Sequence, residues 1–134
     1  MSLTASDPSL VHGADECLRC YQACQHTAMN HCLEMGGHHT EPEHFRLMMN
    51  CAEICRSAAH FMLSGSPLYA SVCNACADMC NACAESCEQL GDMKECVAAC
   101  RACEQSCRQV ASAQPAEMLL SASRGSALTG QFPI

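Results

Sequence analysis

The spacing of the cysteines is the feature that most constrains how this chain can fold. Between residues 73 and 107, cysteines stand at positions 73, 76, 80, 83 and 87 and then at 96, 100, 103 and 107. Alternating gaps of three and four residues place side chains on one face of a helix. At about 100° per residue, the first five cysteines occupy an arc of about 80° and the last four an arc of about 60°. Two helices are therefore predicted, each with sulfur where a helix bundle usually carries Leu, Ile and Val.

The first half of the chain carries the same pattern at lower density. A first helix is predicted over about 13–35, ended by Gly36-Gly37, and residues 1–12 are predicted to be flexible, although Asp7-Pro8 offers an earlier helix start. The inward face of this first helix would hold Cys17, Cys20, Cys24, Ala28, His31, Cys32 and Met35. A second helix is predicted over about 41–63, with an inward face of His44, Met48, Cys51, Cys55, Ala58 and Met62.

Four helices with short connections predict an all-α fold. Helices over about 67–90 and 93–111 complete the set, and the expected architecture is an antiparallel up-down-up-down four-helix bundle with a cysteine-lined core. The bundle would form one domain over 13–111. Residues 112–134, rich in Ser, Ala and Gly, are predicted to be a tail or an oligomer contact with at most a short helix.

Composition argues for reduced thiols and against several partners. Fifteen of 134 residues are cysteine, an odd number, and cysteines along one helix face would compete for each disulfide partner. The first residues show no export signal, so a reducing, cytoplasmic location is expected, where dense cysteine indicates metal. The net charge of −7 with scattered Lys and Arg disfavours nucleic acid, and no apolar run is long enough to span a membrane.

The repeated unit Cys-x3-Cys indicates which metal the thiols would bind. It occurs six times and brings two sulfurs within reach of one ion. Thiolates and thioethers without inward carboxylates favour soft Cu(I) over harder divalent ions. One Cu(I) per thiolate would also leave the core near zero charge, which predicts roughly 15 ions per chain.

The predicted metal ligands comprise all the cysteines and a few softer side chains. His31, Met35, His44, Met48 and Met93 would gather at one end of the bundle, where Cu(I) is expected to enter, whereas His38 and His39 are expected to be surface residues. The full predicted set is Cys17, Cys20, Cys24, Cys32, Cys51, Cys55, Cys73, Cys76, Cys80, Cys83, Cys87, Cys96, Cys100, Cys103, Cys107, His31, Met35, His44, Met48, Met62 and Met93.

The cysteine run resembles that of a known protein family. The segment Cys73-Asn-Ala-Cys76-Ala-Asp-Met-Cys80-Asn-Ala-Cys83-Ala-Glu-Ser-Cys87, with its counterparts over about 15–110, is similar to the bacterial copper storage proteins, cysteine-rich four-helix bundles. The resemblance is to their cytosolic branch. It implies storage of many cuprous ions by thiolates and assembly into a homotetramer. A copper chaperone or a small thiol would then deliver the metal.

Two other metal-binding functions remain open from the sequence. An iron-sulfur electron carrier is one, although the usual ferredoxin cysteine run is missing. A zinc or cadmium thiolate buffer is the other. Catalysis is not expected, because activated cysteines lie at helix N-termini and these lie in the middle of helices.

Overall fold

A computed structural model describes residues 7–113, which form four helices. Helix α1 covers 8–35 in three segments: α-helical Pro8–His26, π-helical Thr27–Cys32 and a last turn, Leu33–Met35. A 3₁₀ turn, Gly37–Thr40, leads to α2, Pro42–Leu63, and then follow α3, Tyr69–Leu90, and α4, Lys94–Ser112. Helices α1 and α3 each pack against both α2 and α4. The prediction of an all-α four-helix bundle is confirmed.

Helix α1 begins five residues earlier than predicted. Asp7 caps it by accepting a hydrogen bond of 3.0 Å from the Ser9 amide, and Pro8 occupies the first turn. The predicted boundary at Gly13 is wrong because this glycine is a packing position. A Cβ added there would lie 2.9 Å from Met62 Sδ. Residues 8–12 are therefore helical rather than flexible, whereas 1–6 lie outside the described residues.

The π-helical segment changes the end of α1. A π turn closes over one more residue than an α turn, so the side chains that follow it are rotated about the helix axis. Met35 is consequently 57% exposed, and the prediction that it faces the interior is wrong. The helix still ends where the glycines predict, with Gly36 at a φ of 64° and Gly37 at 55°.

Sulfur and small side chains fill the core. All fifteen cysteines are completely buried, and alanines from α1, α2 and α3 pack between them. The larger side chains with no exposed surface are few and include Leu10, Met48 and Met62. His44 and Ser106 are the buried polar residues among those described. The four helices thus enclose a core with no buried carboxylate in the described part of the chain.

None of the helices described is long and apolar enough to cross a bilayer. Of the predicted tail 112–134, Ser112 is the last residue of α4, and the residues from 114 onward lie outside the described part of the chain.

Candidate metal centre

The buried thiols form a continuous ladder along the bundle axis. Sulfurs from different helices approach within 4 Å at many points. The Sγ atoms of Cys17 and Cys107 are 3.5 Å apart, and those of Cys55 and Cys80 are 3.6 Å apart. Two sulfurs bound to one ion at about 2.3 Å lie about 3.8 Å apart at a tetrahedral angle. The thiols are therefore already spaced as metal ligands.

Four sets of four thiols are compact enough to hold an ion. Within each set the sulfurs lie within 4.8 Å of one another, and one set takes a cysteine from each of the four helices. The sets, called thiol groups below, are Cys17/Cys76/Cys103/Cys107, Cys20/Cys55/Cys80/Cys103, Cys20/Cys24/Cys51/Cys100 and Cys24/Cys83/Cys96/Cys100. Neighbouring groups share at least one sulfur, so an ion bound in one group lies beside the next.

Burial and mutual hydrogen bonding keep most of these thiols protonated in the metal-free protein. The pKa of Cys20 and that of Cys24 are raised above the ordinary value, first by hydrogen bonds with Cys100 and further by burial. The pKa of Cys51 is lowered because its thiolate would accept hydrogen bonds from neighbours, Cys100 first. The interior can therefore carry few negative charges until a cation arrives to compensate them.

Met48 lies beside the ladder at the end near the α3/α4 connection. Its Sδ atom is 3.4 Å from Cys87 Sγ and 3.8 Å from the Sγ atoms of both Cys83 and Cys96. The side chain is fully buried. A thioether thus stands among three thiols, an arrangement that suits a soft ion.

His44 and Cys32 form a second, separate pair at the same end. His44 is only 6% exposed, and its Nε2 atom lies 3.9 Å from Cys32 Sγ. The opposite ring nitrogen forms a hydrogen bond of 2.8 Å with Ser86 Oγ, which fixes the ring orientation. Burial lowers the pKa of His44, so the ring is held neutral and able to bind a metal ion. Ser86 was not predicted, because nothing in its spacing distinguishes it from other small polar residues of α3.

The four remaining His and Met residues predicted as ligands lie in four different places. Met93 is buried in the α3/α4 connection, while Met62 is buried at the far end, where it contacts Gly13. His31 is half-buried and faces Asp92 rather than the thiols, with its Nε2 atom 3.2 Å from Asp92 Oδ2. Met35 lines an open groove of about 710 Å³ that also reaches His44. The structure therefore brings His44 and Met48 to the thiols and leaves His31 and Met35 outside them.

The chain is similar to several known proteins. A crystal structure of a Nitrosospira multiformis protein is 54% identical, with a TM-score of 0.77, covering 80% of this chain and 98% of that one. The structure of the copper storage protein Ccsp from Streptomyces lividans, loaded with 10 copper equivalents, is 29% identical, with a TM-score of 0.69, covering 81% and 88%. An uncharacterised cysteine-rich protein of Bacillus subtilis (strain 168) is 36% identical over 64 residues. That match spans 48% of this chain and 58% of the relative.

The family model for copper storage proteins matches residues 7–112, which is nearly the whole of the described structure. The buried thiols, the four-helix bundle and the structural match to a copper-loaded protein agree with it. The chain belongs to the copper storage protein family.

Proposed function

We propose that this protein stores Cu(I), several ions per chain, inside the bundle. The observation that carries the proposal is the ladder of buried thiols, in which four thiol groups share sulfurs and no carboxylate of the described residues is buried among them. Thiolates without hard oxygen ligands select a soft monovalent ion. With one Cu(I) per thiolate the interior is electrically neutral, which gives a capacity of roughly 15 ions.

A zinc or cadmium buffer is the second candidate, because each thiol group contains the four sulfurs of a tetrahedral site. Charge disfavours it. Four divalent ions would supply eight positive charges against the twelve different thiolates of the four groups, and the excess negative charge would stay buried. The sharing of sulfurs between groups also suits small monovalent ions that bridge, rather than separate four-thiolate sites. An iron-sulfur carrier has no comparable support in the geometry.

We further propose that Cu(I) enters at the end that holds His44, Met48 and Met93. The groove beside the α1/α2 connection reaches His44, and His44 lies 3.9 Å from Cys32. Met48 continues the path to three thiols of the ladder. Imidazole and thioether ligands release Cu(I) more readily than thiolates do, so they can pass the ion to the thiol groups deeper in the core.

We also propose a cytoplasmic location and a copper donor for this protein. Thiols bind metal only while reduced, which fits a cytoplasmic location with a copper chaperone or a small thiol as the donor. Assembly into a homotetramer rests on the family resemblance, and light scattering of the purified protein tests it.

Anaerobic titration with Cu(I) against a chromophoric chelator tests the storage function. We expect the protein to take up roughly 15 equivalents before the chelator responds. Parallel titration with Zn²⁺ should fill the thiol groups with about four equivalents or fewer, as the number of these groups predicts. Saturation with Cu(I) at one to four equivalents would refute storage, and a higher capacity for zinc than for copper would favour the second candidate.

A further inference from the structure

Three polar side chains outside the thiol core converge at the same end of the bundle. His31 belongs to the π-helical segment of α1, His39 to the 3₁₀ turn Gly37–Thr40, and Asp92 to the α3/α4 connection. Each can offer one ligand atom, and the three atoms lie within 4.8 Å of one another. The rings of His31 and His39 meet edge to face with centroids 5.1 Å apart. Three separate segments therefore supply one cluster.

One imidazole nitrogen of each histidine in the cluster has no hydrogen-bond partner. The Nε2 atoms of both His31 and His39 are shielded from solvent and form no hydrogen bond. Asp92 Oδ2 lies 3.2 Å from His31 Nε2, an ion-pair distance without hydrogen-bond geometry. A shielded nitrogen with no partner is costly, and a cation placed between the three side chains would satisfy both rings and the carboxylate at once.

We propose that His31, His39 and Asp92 form a site for one divalent transition-metal ion, separate from the thiol ladder. Two imidazoles and a carboxylate suit borderline ions such as Zn²⁺, whereas Cu(I) prefers the sulfur ligands deeper in the bundle. Glu34 and Glu95 line the groove beside His31 and Asp92, which adds negative charge close to the ion. The protein would thus bind two metals of different chemistry in two places.

The position of the site gives it a structural consequence. One ion would tie the end of α1 to both connections at the end where we propose that Cu(I) enters. Met93 and Cys96 line the same groove as His31 and Asp92. Occupancy by a divalent ion would therefore brace the rim of that opening. The binding itself does not depend on whether the thiols take up Cu(I).

Cadmium-113 NMR of the reduced full-length protein tests the proposal, because its chemical shift separates cadmium bound by nitrogen and oxygen from cadmium bound by thiolates. We expect one nitrogen/oxygen resonance in the wild type and its displacement by one equivalent of Zn²⁺. The resonance should disappear in His39→Ala and in Asp92→Asn. The second change keeps a residue type that tolerates the positive φ of 61° at this position. The nitrogen/oxygen resonance should persist in His38→Ala, a matched control, since His38 pairs with Glu41 outside the cluster.

Two results would overturn the proposal: no nitrogen/oxygen resonance in the wild type, or a resonance that survives in His39→Ala and Asp92→Asn. Circular dichroism confirms that each variant is folded. The Cu(I) capacity of the same samples is measured separately. A failure of copper storage would therefore appear in that titration and not in the cadmium spectrum.

Discussion

Removing a single shared thiol tests whether the ladder works as linked groups. Cys103 belongs to two thiol groups and Cys73 to none, while both side chains are completely buried. Changing either cysteine to alanine removes one sulfur from the interior. Each variant should therefore lose about 1 kcal/mol of folding free energy in the metal-free state. The two variants are matched in chemistry, in burial and in expected stability.

The expected copper capacities differ because of group membership. If every thiolate bound its own Cu(I) independently, both variants would lose about one ion. Cys103→Ala opens two groups together, the one that contains Cys17 and the one that contains Cys55. We therefore expect Cys103→Ala to lose about two ions or more of the roughly 15, and Cys73→Ala to lose about one at most.

Anaerobic titration against a chromophoric Cu(I) chelator measures the capacity, and native mass spectrometry shows the distribution of bound ions. Urea unfolding of the metal-free variants checks that the two differ little in stability. Equal losses of copper in Cys103→Ala and Cys73→Ala would refute the inference that the groups act as linked units. Such a result would mean that the shared sulfurs, though close together, bind their ions one by one.

Three further outcomes are expected. Substituting His44 and Met48 together should slow Cu(I) loading, followed by ultraviolet thiolate absorbance, and leave the capacity almost intact; a large loss of capacity at an unchanged rate contradicts the proposed opening. Ser86→Ala frees the His44 ring and should slow loading in the same assay, whereas the control Ser71→Ala, on the exposed side of α3, should not. The pKa of buried thiols such as Cys20 is raised in the folded protein, so the thiols of the unfolded chain lose their protons at a lower pH than those of the folded chain. The unfolding free energy of metal-free protein, measured in urea, should therefore fall above about pH 9, and that of Cu(I)-loaded protein should change much less.

The helices rich in cysteine were the most predictable part of the structure. In α3 and α4 the cysteines follow a regular helical period, so the sequence pattern alone places every one of them on the inner face, and all are fully buried. The ends of these helices also lie within about two residues of the predicted positions. The cysteines recur on one face of each of these helices, and no other face could fill the core. The pattern therefore specifies which face is buried.

Helix α1 shows where the pattern stops being informative. The π-helical segment Thr27–Cys32 leaves no mark in the spacing, yet it turns Met35 outward and directs His31 to His39 and Asp92. Gly13 resembles a helix boundary but is a close-packing position against Met62. These features depend on contacts between elements, which a helical period in one segment does not contain.

The grouping of the thiols likewise depends on contacts between helices. Periodicity predicts that Cys20 and Cys100 face inward but not that their sulfurs meet at 3.7 Å, because that distance is set by how far one helix is shifted along another. The same axial alignment brings Ser86 to His44. The sequence thus predicts that the cysteines face the interior, whereas their assignment to particular groups was not accessible from it.

The spacing of the sulfurs explains how one packing arrangement can serve both the empty and the loaded protein. Protonated thiols behave as small apolar side chains, and at 3.5 to 4.0 Å they fill the core much as Ala and Met do. A tetrahedrally bound metal ion needs nearly the same separation between any two of its thiolates, about 3.8 Å. Loading therefore replaces protons by ions with little movement of the helices. Because neighbouring groups share Cys20, Cys24, Cys100 or Cys103, an ion can advance by exchanging one sulfur at a time without being released into the apolar interior.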